Sequence, residues 1–109
     1  MGRAMSVENN SEYAVTPRRT QTLQDANGHI NGDRDQNYGD ATESFTRIAA
    51  LWSTTLGVDI KPYQVALCLA QLKISRLVAS PTHEDSWVDL AGYTALGSEV
   101  AEKTIGGQA

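Results

Sequence analysis

Apolar residues recur at helical spacing in four segments of this chain, and no segment alternates long enough to predict a strand. The first segment, residues 18–31, has the weakest pattern, because Asn27-Gly28 interrupts its apolar stripe. The second begins after Asp40, a favourable N-cap residue, and ends at Gly57. Its apolar residues fall on one helical face: Phe45, Ile48, Ala49, Trp52 and Leu56.

The third and fourth segments contain the more apolar helices. The third opens at Pro62, a residue favoured in the first turn of a helix, and runs to about Val78. Because its first half is apolar on nearly all sides, we expect it to be the most buried element. The fourth follows Pro81 and runs to about Lys103. An interior glycine costs roughly 1 kcal/mol relative to alanine, so Gly92 indicates close approach of a neighbouring helix.

The pattern predicts an all-α fold, a small four-helix bundle-like domain. Residues 1–17 show no consistent period and are predicted to be a flexible N-terminal arm, with residues 104–109 a flexible C-terminus. The helical domain then spans residues 18–103, near the lower size limit for one hydrophobic core. Because so small a domain buries limited apolar surface, we expect a homo-oligomer.

Charge and composition exclude several classes of partner. The chain has 109 residues and a formal net charge of −4, and it has no basic patch, so we expect no nucleic acid partner. No apolar run reaches the roughly 18 residues that a membrane span requires, so we expect no membrane association. The single cysteine, Cys68, lies in an apolar run and favours a reducing, cytoplasmic setting.

Two pairs of like charges interrupt the apolar helices. Lys73 and Arg76 lie three residues apart, Asp85 and Asp89 lie four apart, and each pair therefore shares one helix face. Unpaired buried charges are costly, so these residues must pair with each other or bind a metal or a charged ligand. Two carboxylates suit Mg²⁺ when substrate phosphates complete its coordination. The two cations could hold phosphate oxygens.

Structural roles stay open for the same residues. If Thr82 is the N-cap, Asp85 occupies a capping-box position and also suits the helix dipole. Asp89 has no capping role, and an ion pair with one of the two cations is its structural explanation. Glu43 could face the same site from the second helix, although it also occupies a capping-box position.

A polar loop precedes the second helix and carries two further candidates. Arg34 and Tyr38 lie in this loop, where they could bind an anion or stack on a nucleobase. The alternative is a plain turn in which Gly39 supplies a positive φ.

Four motifs occur in order along the chain. They are Arg34-x-x-x-Tyr38-Gly39, Phe45-x-x-Ile48-Ala49-x-Leu51-Trp52, Leu72-Lys73-x-x-Arg76 and Asp85-Ser86-x-Val88-Asp89-x-Ala91-Gly92-Tyr93. In this combination, over roughly residues 20–101, the chain resembles a family of short phage-encoded helical proteins of unknown function. It is more distantly similar to phage nucleotide-modification-associated domains and to MazG-like all-α nucleoside triphosphate pyrophosphohydrolases.

The MazG resemblance implies a nucleotide-metabolism protein of the bacterial host cytoplasm, acting as a Mg²⁺-dependent (d)NTP pyrophosphohydrolase. MazG-like enzymes surround Mg²⁺ with acidic residues from neighbouring helices and cleave between the α and β phosphates. By resemblance the roles are metal binding by Asp85, Asp89 and Glu43, catalysis by Asp89 and Lys73, and substrate binding by Arg76, Tyr38 and Arg34. The chain departs from the MazG pattern, which has an E-x-x-E pair on an earlier helix where Glu43 here stands alone.

Two non-enzymatic functions are alternatives. One is a helical oligomer that binds or sequesters a nucleotide, as phage counter-defence proteins can. The other is a structural adaptor whose charged residues only set the register of its helices.

Overall fold

Four helices make up the part of the chain that this computed structural model describes, residues 16–32 and 41–106. They are α1, Arg18–Ile30; α2, Ala41–Leu56; α3, Pro62–Ala79; and α4, Glu84–Thr104. No strand occurs in these two ranges, so the predicted all-α class is confirmed. None of the helices described is long and apolar enough to cross a membrane. Residues 1–15 of the predicted arm and the last three residues lie outside the described ranges.

The turn between α2 and α3 shows why the two helices end and begin where they do. Gly57 has a φ of +72°, a left-handed conformation that suits glycine and ends α2. The backbone N–H of Ile60 donates to Oγ of Ser53 at 2.9 Å, which ties the turn back to α2. Pro62 then occupies the first turn of α3, as predicted.

The hydrophobic core lies where α2, α3 and α4 meet. Its buried residues are Phe45, Ala49, Val65, Ala66 and Val100. Partly buried side chains surround them, among them Ile48, Trp52, Leu69, Tyr93 and Leu96. Helix α1 packs along α4, outside this cluster. The fold therefore has a three-helix core with α1 added to one side of α4.

The expectation that α3 would be the most buried helix is wrong. Its buried residues are Val65, Ala66 and Leu77, one fewer than the four of α4. Leu67 is 55 % exposed, and Cys68 is exposed. The reason is that α2 and α4 cover α3 on one side. Apolar residues all around a helix show that the helix could be buried on every side. They do not show how many neighbouring helices the chain supplies to cover it.

Two glycines of α4 mark close helix contacts. A Cβ atom on Gly92 would lie 3.2 Å from Cγ2 of Ile30 in α1, which confirms the predicted close approach. A Cβ atom on Gly97 would lie 3.0 Å from Cβ of Ala66 in α3. Since Ala66 is buried and its Cβ is fixed to the backbone, α3 and α4 would have to move apart to admit a larger residue.

Replacing Gly97 with alanine should destabilise the fold despite the better helix propensity of alanine. We expect Gly97→Ala to lower the free energy of unfolding by about 1 kcal/mol, because overpacking against Ala66 outweighs the propensity gain. Gly28→Ala is the matched control, since nothing lies within 4 Å of a Cβ there; it should stabilise the protein by about 0.5–1 kcal/mol. Urea unfolding followed by circular dichroism measures both, and stabilisation by both variants would contradict close α3–α4 packing.

Candidate functional site

Lys73 of α3 and Asp89 of α4 form an ion pair across the contact between the two helices. Nζ of Lys73 lies 3.0 Å from Oδ2 of Asp89, and the two side chains are 23 % and 35 % exposed. The pairing expected from the sequence is thus present. Because neither side chain is fully exposed, the attraction between the two charges stabilises the fold more than it would in a fully exposed pair.

The surroundings of Asp89 are mainly apolar. A gap of only about 10 Å³ lies beside it, lined by His29, Ile30, Val88, Gly92, Tyr93 and Leu96. A gap of this size holds one water molecule at most. A ligand larger than water must therefore reach Asp89 from the solvent side, where about a third of the side chain is exposed.

Three of the remaining predicted site residues lie on three different helices, and the other two lie outside the described ranges. Asp85 is exposed in the first turn of α4, one turn before Asp89, and Arg76 is exposed on α3, one turn after Lys73. Glu43 is exposed in the first turn of α2. Arg34 and Tyr38 lie among residues 33–40, outside the described part of the chain, so their roles stay predictions.

Helix α4 begins one residue later than the capping interpretation of Asp85 requires. The N-cap is His83, with its backbone extended, and Thr82 lies outside the helix. Counted from His83, Ser86 takes the third helical position that Asp85 was expected to occupy. Oγ of Ser86 lies 2.8 Å from Nδ1 of His83. The capping-box role of Asp85 is therefore wrong, while its place in the first turn still suits the helix dipole.

The described residues contain no group of three or more His, Cys, Asp or Glu side chains that could hold a metal ion. Asp85 and Asp89 share a helix face, and one or two protein carboxylates are enough for Mg²⁺ when phosphate oxygens and water supply the other ligands. The residues present thus fit a magnesium ion that arrives with a phosphate ligand better than a resident ion in a protein cage.

A second charged contact, which sequence reasoning missed, joins α1 to the start of α4. Oε1 of Glu84 lies 3.0 Å from Nη1 of Arg18, and the Thr22 hydroxyl donates to Oε2 at 2.7 Å. The Thr22 hydrogen bond, and then the Arg18 guanidinium, hold the pKa of Glu84 below the usual glutamate value. Helical spacing cannot reveal this contact, because the partners lie more than sixty residues apart.

An open groove of about 600 Å³ adjoins this contact, between the start of α1 and the start of α4. Two large apolar side chains line it, Leu23 at 64 % exposure and Trp87 at 43 %. The Trp87 indole N–H donates to the carbonyl of Pro81 at 2.8 Å, which fixes the ring at the groove wall.

Comparison with known proteins identifies the family. A family described as a domain of unknown function, DUF6378, matches residues 21–101. The chain belongs to this family. The matched range agrees with the residues, roughly 20–101, on which the resemblance to a phage-encoded helical family was based. That resemblance is confirmed, and the more distant similarity to MazG stays a prediction.

Two phage proteins are similar to this member of the DUF6378 family. The gene 55 protein of Mycobacterium phage L5 is 46 % identical over 68 residues, which are 62 % of this chain and 44 % of the relative. The gene 55 protein of Mycobacterium phage D29 is 35 % identical over 86 residues, 79 % of this chain and 57 % of the relative. The chain thus spans about half the length of the curated relatives it matches. No solved structure matches the chain.

Removing the carboxylate charge of the ion pair should destabilise the fold. In Asp89→Asn the Lys73 ammonium, only 23 % exposed, loses its counter-charge, and we expect the free energy of unfolding to fall by about 1–2 kcal/mol, less than for a fully buried pair. Asp59→Asn is the matched control: Asp59 lies 2.8 Å from Lys61, with side chains 75 % and 53 % exposed, and its loss should change stability much less than Asp89→Asn does. Equal effects in urea unfolding would contradict the distinction.

The Glu84 contact should make stability depend on acid pH. Since folding lowers the pKa of Glu84, its contribution is fully present above the ordinary glutamate pKa, about 4.3, and is lost as pH falls through the lower pKa of the folded state. Thr22→Val removes the largest cause, so we expect the Glu84 pKa to rise and the acid-induced loss of stability to shrink. Carboxyl NMR titration and urea unfolding below pH 6 measure the two effects.

Thr54→Val is the control for the Thr22 substitution. Thr54 is a helical threonine, too, and it is exposed; its hydroxyl donates within its own helix, to the carbonyl of Ala50 at 3.1 Å. This variant should leave the Glu84 pKa unchanged. An unchanged Glu84 pKa in Thr22→Val would show that the hydroxyl contact does not persist in solution.

Proposed function

We propose that this phage protein acts on nucleotides as a Mg²⁺-dependent (d)NTP pyrophosphohydrolase whose site is centred on Lys73 and Asp89. The observation that supports the proposal is their ion pair, which sets a cation and a carboxylate 3.0 Å apart on neighbouring helices. Both side chains remain partly exposed, so a ligand can reach them from solvent.

The charges of a magnesium–nucleotide complex complement this pair. In the resting protein, Lys73 and Asp89 neutralise each other. A ligand that carries Mg²⁺ and phosphate together offers a partner to each of them, the metal to Asp89 and a phosphate oxygen to Lys73. Binding then separates the pair without leaving either charge uncompensated, which is the condition for opening a partly buried ion pair at acceptable cost.

The proposal assigns a role to each predicted residue. Asp89, with Asp85 one turn earlier, faces the magnesium that the nucleotide carries. Glu43 of α2, which forms no metal-binding group with these two aspartates in the described residues, is assigned to the same metal by the MazG resemblance alone. Lys73 and Arg76, one turn apart on α3, contact phosphate oxygens, and Arg34 and Tyr38 contact the rest of the nucleotide. The residues divided in this way lie on α2, α3, α4 and the segment before α2, as in the proposed MazG-like arrangement.

The reaction would add water across the bond between the α and β phosphates, giving a nucleoside monophosphate and pyrophosphate. Magnesium supplies neutralisation of phosphate charge when it is bound. Lys73 stabilises the negative charge that grows on the phosphate oxygens as the bond breaks, and its low exposure strengthens that interaction relative to water. Arg76 orients the phosphate chain.

Binding without hydrolysis is the second candidate. It is favoured by the lack, within residues 16–32 and 41–106, of a third carboxylate or histidine grouped with Asp85 and Asp89. MazG-like hydrolysis uses a second acidic pair, and a protein without it would hold a magnesium–nucleotide complex and sequester it. In the third case, a structural adaptor, the ion pair serves only to set the register of α3 against α4.

An activity assay tests the enzymatic proposal. The protein is incubated with Mg²⁺ and a panel of NTPs and dNTPs, and monophosphate and pyrophosphate are detected by chromatography. We expect turnover of at least one nucleotide, and a loss of about 100-fold or more in Asp89→Asn and in Lys73→Gln, since each removes a charge that acts on the reacting phosphates. Asp59→Asn, which disrupts a fully separate surface pair, should retain wild-type turnover.

Thermal unfolding in the presence of the same nucleotides separates the alternatives. Stabilisation by nucleotide plus Mg²⁺ without product, abolished in Asp89→Asn, would replace the enzymatic proposal with sequestration. If no product forms and Tm does not shift at millimolar nucleotide, hydrolysis and sequestration are both contradicted, and the structural adaptor is left.

A further inference from the structure

We propose that a second copy of this chain covers the exposed face shared by α3 and α4, on the side of α3 that points away from α2. This neutral face consists of Leu67, Gln71, Ile74 and Val78 from α3 and Thr94 and Ser98 from α4. It is separate from the Lys73–Asp89 contact, and the inference does not rest on the proposed function.

Helix α3 is apolar on two sides, and the chain covers one of them. Leu67, Ile74 and Val78 follow one another at i, i+7 and i+11, so they form one stripe, and they are 55 %, 48 % and 81 % exposed. The opposite side carries the core residue Val65. A helix with apolar residues all around is typical of one buried on all sides. Helices α1, α2 and α4 therefore leave this stripe uncovered.

The charge pattern favours a second copy as that cover. None of the six side chains of the neutral face is charged, whereas the chain as a whole carries a formal net charge of −4. Two acidic copies repel each other through most of their surface, and contact through an uncharged face brings no like charges together. A partner recognised by charge would find nothing on this face to complement.

Shape points the same way, because the face contains both a ridge and a groove. A groove of about 230 Å³ runs between α3 and α4, bounded by Tyr63, Leu67, Tyr93 and Ser98. It exists because Ala66, Ala70 and Gly97 line it with little side-chain bulk. In a two-fold dimer the same patch meets itself, so the apolar stripe of each copy can enter the groove of the other.

The size of the face is that of a small dimer interface. At 1.5 Å per residue, the stretch of α3 from Leu67 to Val78 is about 17 Å long. Two helices whose axes lie about 8–10 Å apart present a face about 20 Å wide. The resulting projected area, about 350 Å², is smaller than a standard interface, which buries about 800 Å² of accessible surface per partner, so we expect a weak dimer whose population depends on concentration.

Sedimentation equilibrium of the full chain across micromolar concentrations tests the proposal. We expect a dimer, and we expect Ile74→Lys to raise its dissociation constant by about 30-fold or more, because the new charge would be buried without a partner. Leu51→Lys is the matched control, since Leu51 is 61 % exposed on α2, outside the neutral face; it should dimerise like the wild type. A wild-type chain that stays monomeric, or a dimer that Leu51→Lys disrupts and Ile74→Lys does not, would overturn the proposal.

Chemical crosslinking gives a second readout in case Ile74→Lys does not fold, as judged by circular dichroism. Cys68 is the single cysteine, so Cys68→Ser provides a background in which one new thiol can be placed. A bismaleimide should crosslink Gln71→Cys, within the neutral face, into a covalent dimer, and should leave Leu51→Cys monomeric. Crosslinking of Leu51→Cys without Gln71→Cys would place the interface on α2 and refute the assignment.

Discussion

The close packing of Ala66 against Gly97 sets the register of α3 and α4, and the candidate site depends on that register. The two helices run antiparallel, and a Cβ on Gly97 would come within 3.0 Å of Ala66. Seven residues onward from Ala66 is Lys73, and eight residues back from Gly97 is Asp89. Both steps are about two helical turns, roughly 11–12 Å. The Ala66–Gly97 contact thus aligns the two helices so that, about two turns away, Lys73 and Asp89 lie 3.0 Å apart.

Periodicity predicted the parts of the structure that one helix determines by itself. The four helices, the turn at Gly57 and the close contact at Gly92 follow from local spacing and backbone preference. The Lys73–Asp89 pairing was also predictable, because an otherwise apolar face leaves a charge few other partners. The roles of these residues toward nucleotide and magnesium are a different matter, since a local pattern shows which chemistry is present and not which ligand uses it.

Properties that depend on how helices are arranged were not predictable from the pattern. The low burial of α3 follows from α1 packing on α4, and nothing in the sequence of α3 encodes that choice. The contact of Glu84 with Arg18 and Thr22 joins distant parts of the chain, so no spacing rule could find it. The sequence left the N-cap open by one residue because both Thr82 and His83 precede the acidic first turn, and the structure shows that α4 begins at Glu84, directly after His83.

Helix α3 connects the candidate site with the neutral face. Lys73 and Ile74 are consecutive, so they point about 100° apart on the helix, one to Asp89 and the other to the neutral face. The Ala66–Gly97 contact fixes α3 against α4 from one side only. Contact with a second copy would hold α3 from its other side and restrict the position of Lys73 relative to Asp89. Since charge stabilisation of a phosphate requires a cation at a fixed distance, association and ligand binding would be coupled through the rigidity of this single helix.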